Sequence, residues 1–545
     1  MDVKALITQG DYLHGRRDTL VSMWQEIADN FYVERADFTV TRTIGDSFAD
    51  NLTTSYPTLV RRDLGNSMGT MMRPKSIDWF KMRSEEEETE DQAAKEWLEW
   101  ATKVQKRAMY DRKSQFTRAS KEADHDIAAF GQAVKTVELN REGNGLLYRC
   151  WHLRDTAWAE DAEGQINTVH RKWKPTVSTL CQMYRDKVHT KVADKMVGSG
   201  KNPYMEVNCR HIVIPADECD GDYLGKGKSP FVEIVIDVDN QHVMEAVGLN
   251  YRKYIIPRWQ TVSGSQYSFS PATVCGLPDA RLLQAMTRCL LEAGEKYTNP
   301  PMVAVQEAIR SDVSIYAGGI TWVDSEYDER LGEVLRPLTQ NQSGLGYGME
   351  MADRTMGLMR EAFFLSKLDL PASGPEMTAY EVGQRVQEYI RQAAPLFEPL
   401  EDEDNAATCE ATFELLLRHG AFGNVADMPE SLRGQNIEFK FESPLHEAVE
   451  RQKGQKFVEA KALLADTLAL DPSAGANIDI TTAFRDVLQS IGVPAKWLNS
   501  EEEAAKIVAG QQAQQQASET IAAMGEGAQV AKAIGEAGQT LELAA

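Results

Sequence analysis

The sequence predicts an α+β fold, mostly helical, and three patterns in its 545 residues predict it. Apolar residues recur at helical spacing between Leu20 and Val104. From Ala133 to about residue 275 the pattern changes to alternation and short apolar runs bounded by turn residues, which reads as antiparallel strands in a mixed region. From Pro278 onward helical spacing returns and dominates.

Taken in order, Leu20, Met23, Trp24, Ile27 and Phe31 mark one helix, Leu59, Met68 and Met72 a second, and Trp97, Trp100 and Val104 a third. The acidic run Glu85 to Asp91 before the third reads as its solvated start. The strands are AVKTVEL, GLLYRCWHL and INTVHRKW, the last two joined through a turn at Asp161 to Gly164, followed by VNCRHIVI and FVEIVIDVD. Pro278-Asp279 opens a helix with Leu282, Met286, Cys289, Leu290 and Ala293 on one face, stopped by Asn299-Pro300-Pro301. A strand-and-turn insert leads to a helix carrying Ala352, Met356, Met359 and Phe363 on one stripe. A loop, Ser366 to Glu376, precedes another helix that begins at Thr378-x-x-Glu381, where hydroxyl and carboxylate satisfy free N–H groups. Pro395 and Pro399 must kink or interrupt that helix, since each lacks a ladder N–H and clashes with the preceding turn. Of the 45 residues from Glu501 on, 25 are Ala, Gln or Gly, so the tail is either loose or a helix that needs neighbours.

Composition narrows the function. Hydrophobic residues make up 42% and charged residues 26%, the balance of a folded chain. No window reaches 18 consecutive apolar residues, and MDVKALITQGDYLHGRR lacks the apolar core of a signal peptide, so the chain is expected to stay where it is made. The net charge is 59 − 82 = −23, which counts against a broad grip on nucleic acid but not against letting it slide past. Seven scattered cysteines with no C-x-x-C spacing support neither zinc nor a disulfide framework and read as reduced, mostly buried thiols.

Motifs with chemistry in them all break down. Gly227-Lys228-Ser229 lacks the first glycine of a phosphate loop and is followed by a strand, and GSGKN at Gly198 lacks both the glycine and the hydroxyl residue. Gly65-Asn66-Ser67-Met68-Gly69 matches the nucleophile elbow, yet TLVRRDL before it reads as helix, where small residues let helices pack closely. His446-Glu447-Ala448-Val449-Glu450 has Glu450 where a zinc-binding histidine belongs. The expectation is no catalytic residue, no cofactor and no metal.

Two segments carry a family resemblance. Leu59 to Met82, with Met71-Met72-Arg73-Pro74 and Trp79-Phe80-Lys81-Met82, resembles the N-terminal signature of head-to-tail connecting (portal) proteins of short-tailed, T7-like bacteriophages. RTMGLMREAFFLSKLDLPASGPEMTAYEVGQRVQEYIRQAAPLFEPLEDE, Arg354 to Glu403, is similar to the helix, loop and kinked helix at the centre of that family, and EMTAYEV is its most specific step. With the helix from Pro278 and the Gln/Ala-rich end, the resemblance runs through nearly the whole chain in order.

The resemblance implies a homo-oligomeric ring, usually of twelve subunits, at one capsid vertex of the virion, made in the host cytoplasm and not bound to a membrane. The terminase large subunit would dock transiently to package double-stranded DNA, and major capsid, tail adaptor and internal core proteins would be further partners. It implies a wing at 1–275 and 377–445, stem helices at 276–298 and 347–365, a clip at 299–346, a crown at 446–500 and a tail at 501–545. The tunnel loop over the DNA channel would comprise Ser366, Lys367, Leu368, Asp369, Leu370, Pro371, Ala372, Ser373, Gly374, Pro375 and Glu376. Lys367 is its only basic residue and is either a phosphate contact weakened by Asp369 or a solvated lysine. Arg354 and Arg360 either face the channel or pair with acids of a neighbouring subunit. On the residues alone, an acidic virion scaffold or adaptor and a hydrolase using Ser67 stay open.

Overall fold

The structure is a computed structural model. It describes residues 2–304 apart from 44, 48, 51, 76, 86–90 and 197–200, then 343–368 and 395–441 apart from 425–426. Beyond these it describes 309, 322, 324, 335–337, 392 and short pieces between 457 and 511.

In chain order the α-helices among the described residues are α1 (Val3–Gly15), α2 (Asp18–Phe31), α3 (Tyr56–Met72), α4 (Gln92–Met109), α5 (Phe116–Phe130), α6 (Val177–Tyr184), α7 (Thr190–Ala193), α8 (Leu277–Thr298), α9 (Ser343–Ala362), α10 (Leu365–Leu368), α11 (Ala407–Arg418) and α12 (Ile480–Ser490). The strands are β1 (Phe80–Ser84), β2 (Val134–Leu139), β3 (Leu146–Trp151), β4 (Thr156–Glu160), β5 (Ile166–Trp173) and β6 (Cys209–Pro215). They continue with β7 (Phe231–Asp237), β8 (His242–Leu249), β9 (Tyr254–Ile255), β10 (Met302–Ala304), β11 (Leu335–Pro337) and β12 (Ile437–Phe441). The α+β, mostly helical class holds.

The chain forms two compact units, the first from residues 1–79, 105–419 and 443–445, the second from 80–104, 420–442 and 446–545. In the first, β4-β5-β6-β7-β8 make an antiparallel meander and β3-β2-β9 a smaller sheet. Successive side chains of a strand point to opposite faces. Ile212, Ile214, Ile234 and Ile236 accordingly share one face and pack against Val3, Leu6 and Ile7 of α1. Cys209, Val235 and Met244 share the other and pack against Val177, Leu180, Val188 and Val192 of the α6–α7 segment. The main core gathers Trp24, Ile27 and Phe31 of α2, Leu64 and Met68 of α3, Ile127 and Phe130 of α5, and Met359 and Phe363 around α9. Trp24, Ile27, Phe31, Met68, Met359 and Phe363 lie on the stripes the spacing predicts, whereas Leu59 of α3 is exposed, and α4 buries Leu98 and Ala101 while Trp100 is exposed. In the second unit β1 pairs antiparallel with β12, and Asp91 caps the start of α4 through a 2.7 Å bond from the Ala94 N–H.

Several expectations need correcting. The turn at Asp161 to Gly164 joins β4 to β5, not GLLYRCWHL to INTVHRKW, because TAWAE is itself a strand and β3 pairs with β2 instead. Its two alanines are weak strand formers, and pairing with β5 overrides them. The helix before Asn299 does not open at Pro278: a π-turn over Ala272–Gly276 feeds into it, with the Leu277 N–H reaching back to the Ala272 carbonyl. The wider turn leaves room for the pyrrolidine ring that a tight α turn would clash with. Residues 395–400, which hold Pro395 and Pro399, are helical and run through a π-turn at Glu401–Ala406 into α11, while the part of that helix from Thr378 to 394 lies, apart from 392, outside the described residues. On α8, Leu282 is exposed while Leu283 is buried and Met286 and Leu290 are half-buried. The thiols are not mostly buried: Cys275 and Cys289 are exposed and only Cys209, Cys219 and Cys409 are buried.

Candidate functional site

The helix from Pro278 and the first part of the Arg354–Glu403 segment belong to a helical hairpin. Helices α8 and α9 are antiparallel, since Gly276 lies at Phe363 and Gly348 at Leu290, and a Cβ at Gly348 would stand 2.9 Å from the Leu290 side chain. At their far end β10 pairs antiparallel with β11, Met302 opposite Pro337, so the insert between the helices leaves and returns at one place. At 1.5 Å per residue the 22 residues of α8 give a rod about 33 Å long.

The hairpin is fixed at its base. Phe363 stacks on Phe31 with centroids 5.4 Å apart, and a Cβ on Gly276 would come within 2.9 Å of Phe363 and 3.1 Å of Phe31. Gln284 of α8 clamps the 53–54 backbone: its Oε1 accepts from the Thr53 N–H at 2.8 Å and the Thr54 N–H at 3.0 Å, and its Nε2 donates to the Thr54 carbonyl at 3.0 Å. The Tyr56 hydroxyl donates to the Met356 carbonyl of α9 at 3.0 Å. The helix read at 347–365 runs Ser343–Ala362 and ends where Phe364 turns into the left-handed region, φ 58°. That strained turn redirects the chain into α10.

The residues expected to form the tunnel loop start there. Ser366 is exposed on α10, and Lys367 and Leu368 continue that helix. Asp369, Leu370, Pro371, Ala372, Ser373, Gly374, Pro375 and Glu376 lie outside the described residues, as does the Thr378-x-x-Glu381 start. Arg354 and Arg360 are both exposed on α9, and Arg360 lies close enough to Tyr56 to influence its hydroxyl.

Arg73 of the Met71–Pro74 motif organises the interior behind the hairpin. Its Nη1 donates to Asp404 Oδ2 and to Asn405 Oδ1, each at 2.8 Å, and its Nη2 pairs with Asp124. Lys135 of β2 pairs with Asp404 from the other side and donates to Thr408 Oγ1 at 3.2 Å. All of these side chains are buried, so two cations face two anions with no water to screen them. Burial raises the Asp124 carboxyl despite Arg73, whereas at Asp404 burial is outweighed by Lys135 and Arg73 together, which hold it below its ordinary value. Glu401, on the same π-turn, is pushed up to about 7 by burial and by Asp402 and Glu398. No local pattern reveals this cluster, because Arg73 and Asp404 are 331 residues apart.

The motif around Ser67 resolves into packing. Ser67 lies inside α3 and its hydroxyl donates to the Asp63 carbonyl at 2.9 Å, a bond within the helix. A Cβ on Gly65 would collide with His125, and one on Gly69 would stand 3.0 Å from Asp124, so these glycines let α3 and α5 approach. Strand β7 follows Gly227-Lys228-Ser229, where a phosphate loop needs a helix. Most of GSGKN and all of the His446 motif lie outside the described residues. Among the described residues no group of three His, Cys, Asp or Glu is placed to hold a metal, and no helix is long and apolar enough to cross a membrane.

A family model described as bacteriophage head to tail connecting protein matches residues 3–498. The probable portal protein of Bordetella phage BPP-1 is 23% identical over 540 residues, covering 98% of this chain and 95% of the relative. The portal protein of Salmonella phage epsilon15 is 20% identical over 541 residues, covering 97% and 95%. Among solved structures, a chain from the virion of a native gene transfer agent particle covers 75% of this chain and 86% of its own, at 8% identity and a TM-score of 0.34, too loose a superposition to bear on the fold. On the family match over nearly its whole length, the chain belongs to the bacteriophage head-to-tail connecting proteins.

Proposed function

We propose that the chain is a portal subunit, forming a ring of twelve at one capsid vertex of the virion, with no catalytic role of its own. In this reading terminase drives DNA through the ring into the head, DNA later leaves by the same channel, and the short tail attaches through adaptor proteins. The observation that carries it is the outer surface of the α8–α9 hairpin. Leu291 is 56% exposed, Tyr347 66%, Met349 56% and Leu358 50%, on two helices whose other faces already pack on each other or on the core. Apolar side chains spaced along a rod fit lateral contact with the same rods of neighbouring copies, which cyclic symmetry supplies on both sides. Family membership and two relatives named as portal proteins support the same reading.

The hairpin is then the stem, the 299–346 insert the clip facing terminase and adaptors, and the segment after Phe364 the tunnel loop. Residues 1–275 and 377–445 form the wing against the major capsid protein, 446–500 the crown and 501–545 a tail facing the internal core proteins. Twelve copies carry 12 × −23 = −276 formal charges, which favours a weakly interacting lumen through which DNA slides. Lys367, Arg354 and Arg360 are its candidate phosphate contacts. Negative-stain microscopy and native mass of the purified chain test the proposal. Closed rings with a central hole are expected, and a strictly monomeric 60.9 kDa species at micromolar concentration would rule it out.

A further inference from the structure

The α6–α7 segment is charged unlike the rest of the chain. Residues 174–206, which follow β5, hold six Lys and Arg against three Asp and Glu, a net of 6 − 3 = +3, so the remaining residues carry −23 − 3 = −26. The segment is a built part of the fold and not a loose basic loop. Its underside, Val177, Leu180, Val188 and Val192, is buried on the face of the large sheet opposite α1. Its loops are tied back by the Val177 N–H to the Met205 carbonyl at 2.9 Å, the Ser178 N–H to the Pro203 carbonyl at 3.0 Å and the Asn202 N–H to the Lys195 carbonyl at 3.1 Å.

Away from the sheet it presents cations. Lys174, Arg185, Lys191 and Lys201 are exposed and Lys195 is half-buried. Among the described residues none of these five is in a salt bridge, although Lys187 beside them is held by Glu245 at 2.7 Å. Tyr204, 82% exposed, stands on the loop that the Ser178 and Asn202 bonds fix in place. Lys195 donates to Met205 Sδ at 3.0 Å, and none of the five is paired with a carboxylate among the described residues. At physiological salt a charge is felt over about 8 Å, so the acidic remainder does not cancel such a patch at contact.

We propose that this surface holds the phosphate backbone of duplex DNA, without sequence preference, at a place that DNA reaches without threading the ring. The proposal rests on the portal reading only for the presence of DNA. Long, separately mobile lysines suit repeated phosphates. A protein partner is the less fitting occupant, because the centre of a protein interface is depleted in lysine and this surface is dominated by it.

The test uses the full-length protein and relaxed, closed circular plasmid DNA, which cannot thread a closed ring, in gel-shift titrations at 50 and 200 mM salt. Engaging five phosphates should weaken binding about 500-fold between those salts, and losing three of the five should reduce the factor to about 12-fold. The parent should shift the plasmid at low salt, and K191E/K195E/K201E should bind at least tenfold more weakly with the shallower salt dependence. These lysines are exposed or half-buried, and an unchanged melting temperature verifies that the variant folds. A parent that leaves the plasmid unshifted, or a variant that binds like the parent, overturns the proposal. So does displacement of the plasmid by polyglutamate at equal charge, which would assign the surface to an acidic protein. Ring formation is read separately by microscopy, so failure here and failure of the portal reading are distinguishable.

Discussion

Acidification should weaken the fold through histidines buried without charge, and the size of the effect follows from where they sit. His170 and Arg210 point from the sheet toward α1, which brings His14 and the following Arg17, and a Cβ on Gly10 would come within 2.6 Å of His170 Nδ1. Burial first, then Arg17, Lys172, Arg210 and His170, lower the His14 pKa to about 2, while burial and Arg210 lower His170 to about 3. His125, between α3 and α5, is lowered to about 4 by burial and Arg61. The unfolded chain binds these protons near pH 6.5 and the folded chain does not, so their stabilising contribution is complete above 6.5 and falls as pH drops toward each folded value. At pH 5.5, one unit below, each histidine costs about 1.4 kcal/mol, or about 4 kcal/mol for the three. Glu401, raised to about 7, has the opposite sign and gains stability as pH falls through that value, returning about 2 kcal/mol between pH 7.5 and 5.5.

The difference between parent and variant isolates the histidines. H14Q/H170Q keeps neutral polar groups beside Arg17, 3.0 Å from His14 Nδ1, and Gln9, 3.2 Å from His170 Nε2. Urea unfolding followed by tryptophan fluorescence at pH 7.5 and 5.5 should show the double variant losing about 3 kcal/mol less than the parent over that range. An equal loss in both proteins would mean that the two histidines are not held neutral, and the reasoning would fail.

Other outcomes follow from the same geometry. R73M leaves Asp124 and Asp404 facing each other beside Lys135 alone and should cost about 3–5 kcal/mol in denaturant titration. R73K should recover only part of this, because an ammonium cannot present the planar fork that spans Asp124, Asp404 and Asn405. G65A drives a methyl into His125 and should cost about 1–3 kcal/mol, read as a lowered melting temperature. For the proposed tunnel loop, K367A should leave rings intact and change packaged DNA length modestly, and removal of Leu370 to Gly374 should change it more. Full-length genomes in both would deny the loop a role in DNA handling.

What the sequence by itself determined is what repeats locally. Trp24, Ile27 and Phe31 on α2, and Ala352, Met359 and Phe363 around α9, are buried as their spacing requires, because the pitch of a helix converts spacing into a face. The flanking elements of two motifs were equally legible, since Ser67 lies inside α3 and a strand follows Gly227-Lys228-Ser229 as read. The family was legible too, from the order of Met71–Pro74 and Arg354–Glu403 along the chain.

Only the tertiary structure decided the rest. Strand β4 exists because β5 pairs with it, and a π-turn at Ala272–Gly276 leads into α8 ahead of Pro278, where local rules read the helix as starting. Sequence marked Arg73 as part of a signature but gave it no task, since its partners Asp124, Asp404 and Asn405 come from distant segments. The cationic α6–α7 surface and the neutral histidines beneath α1 lie on opposite faces of one sheet, separated by strand alternation and by what packs on each side. Periodicity is encoded within one turn or one pleat, whereas burial and the choice of ionic partner depend on which segments meet, and that is set by the packing of the whole chain.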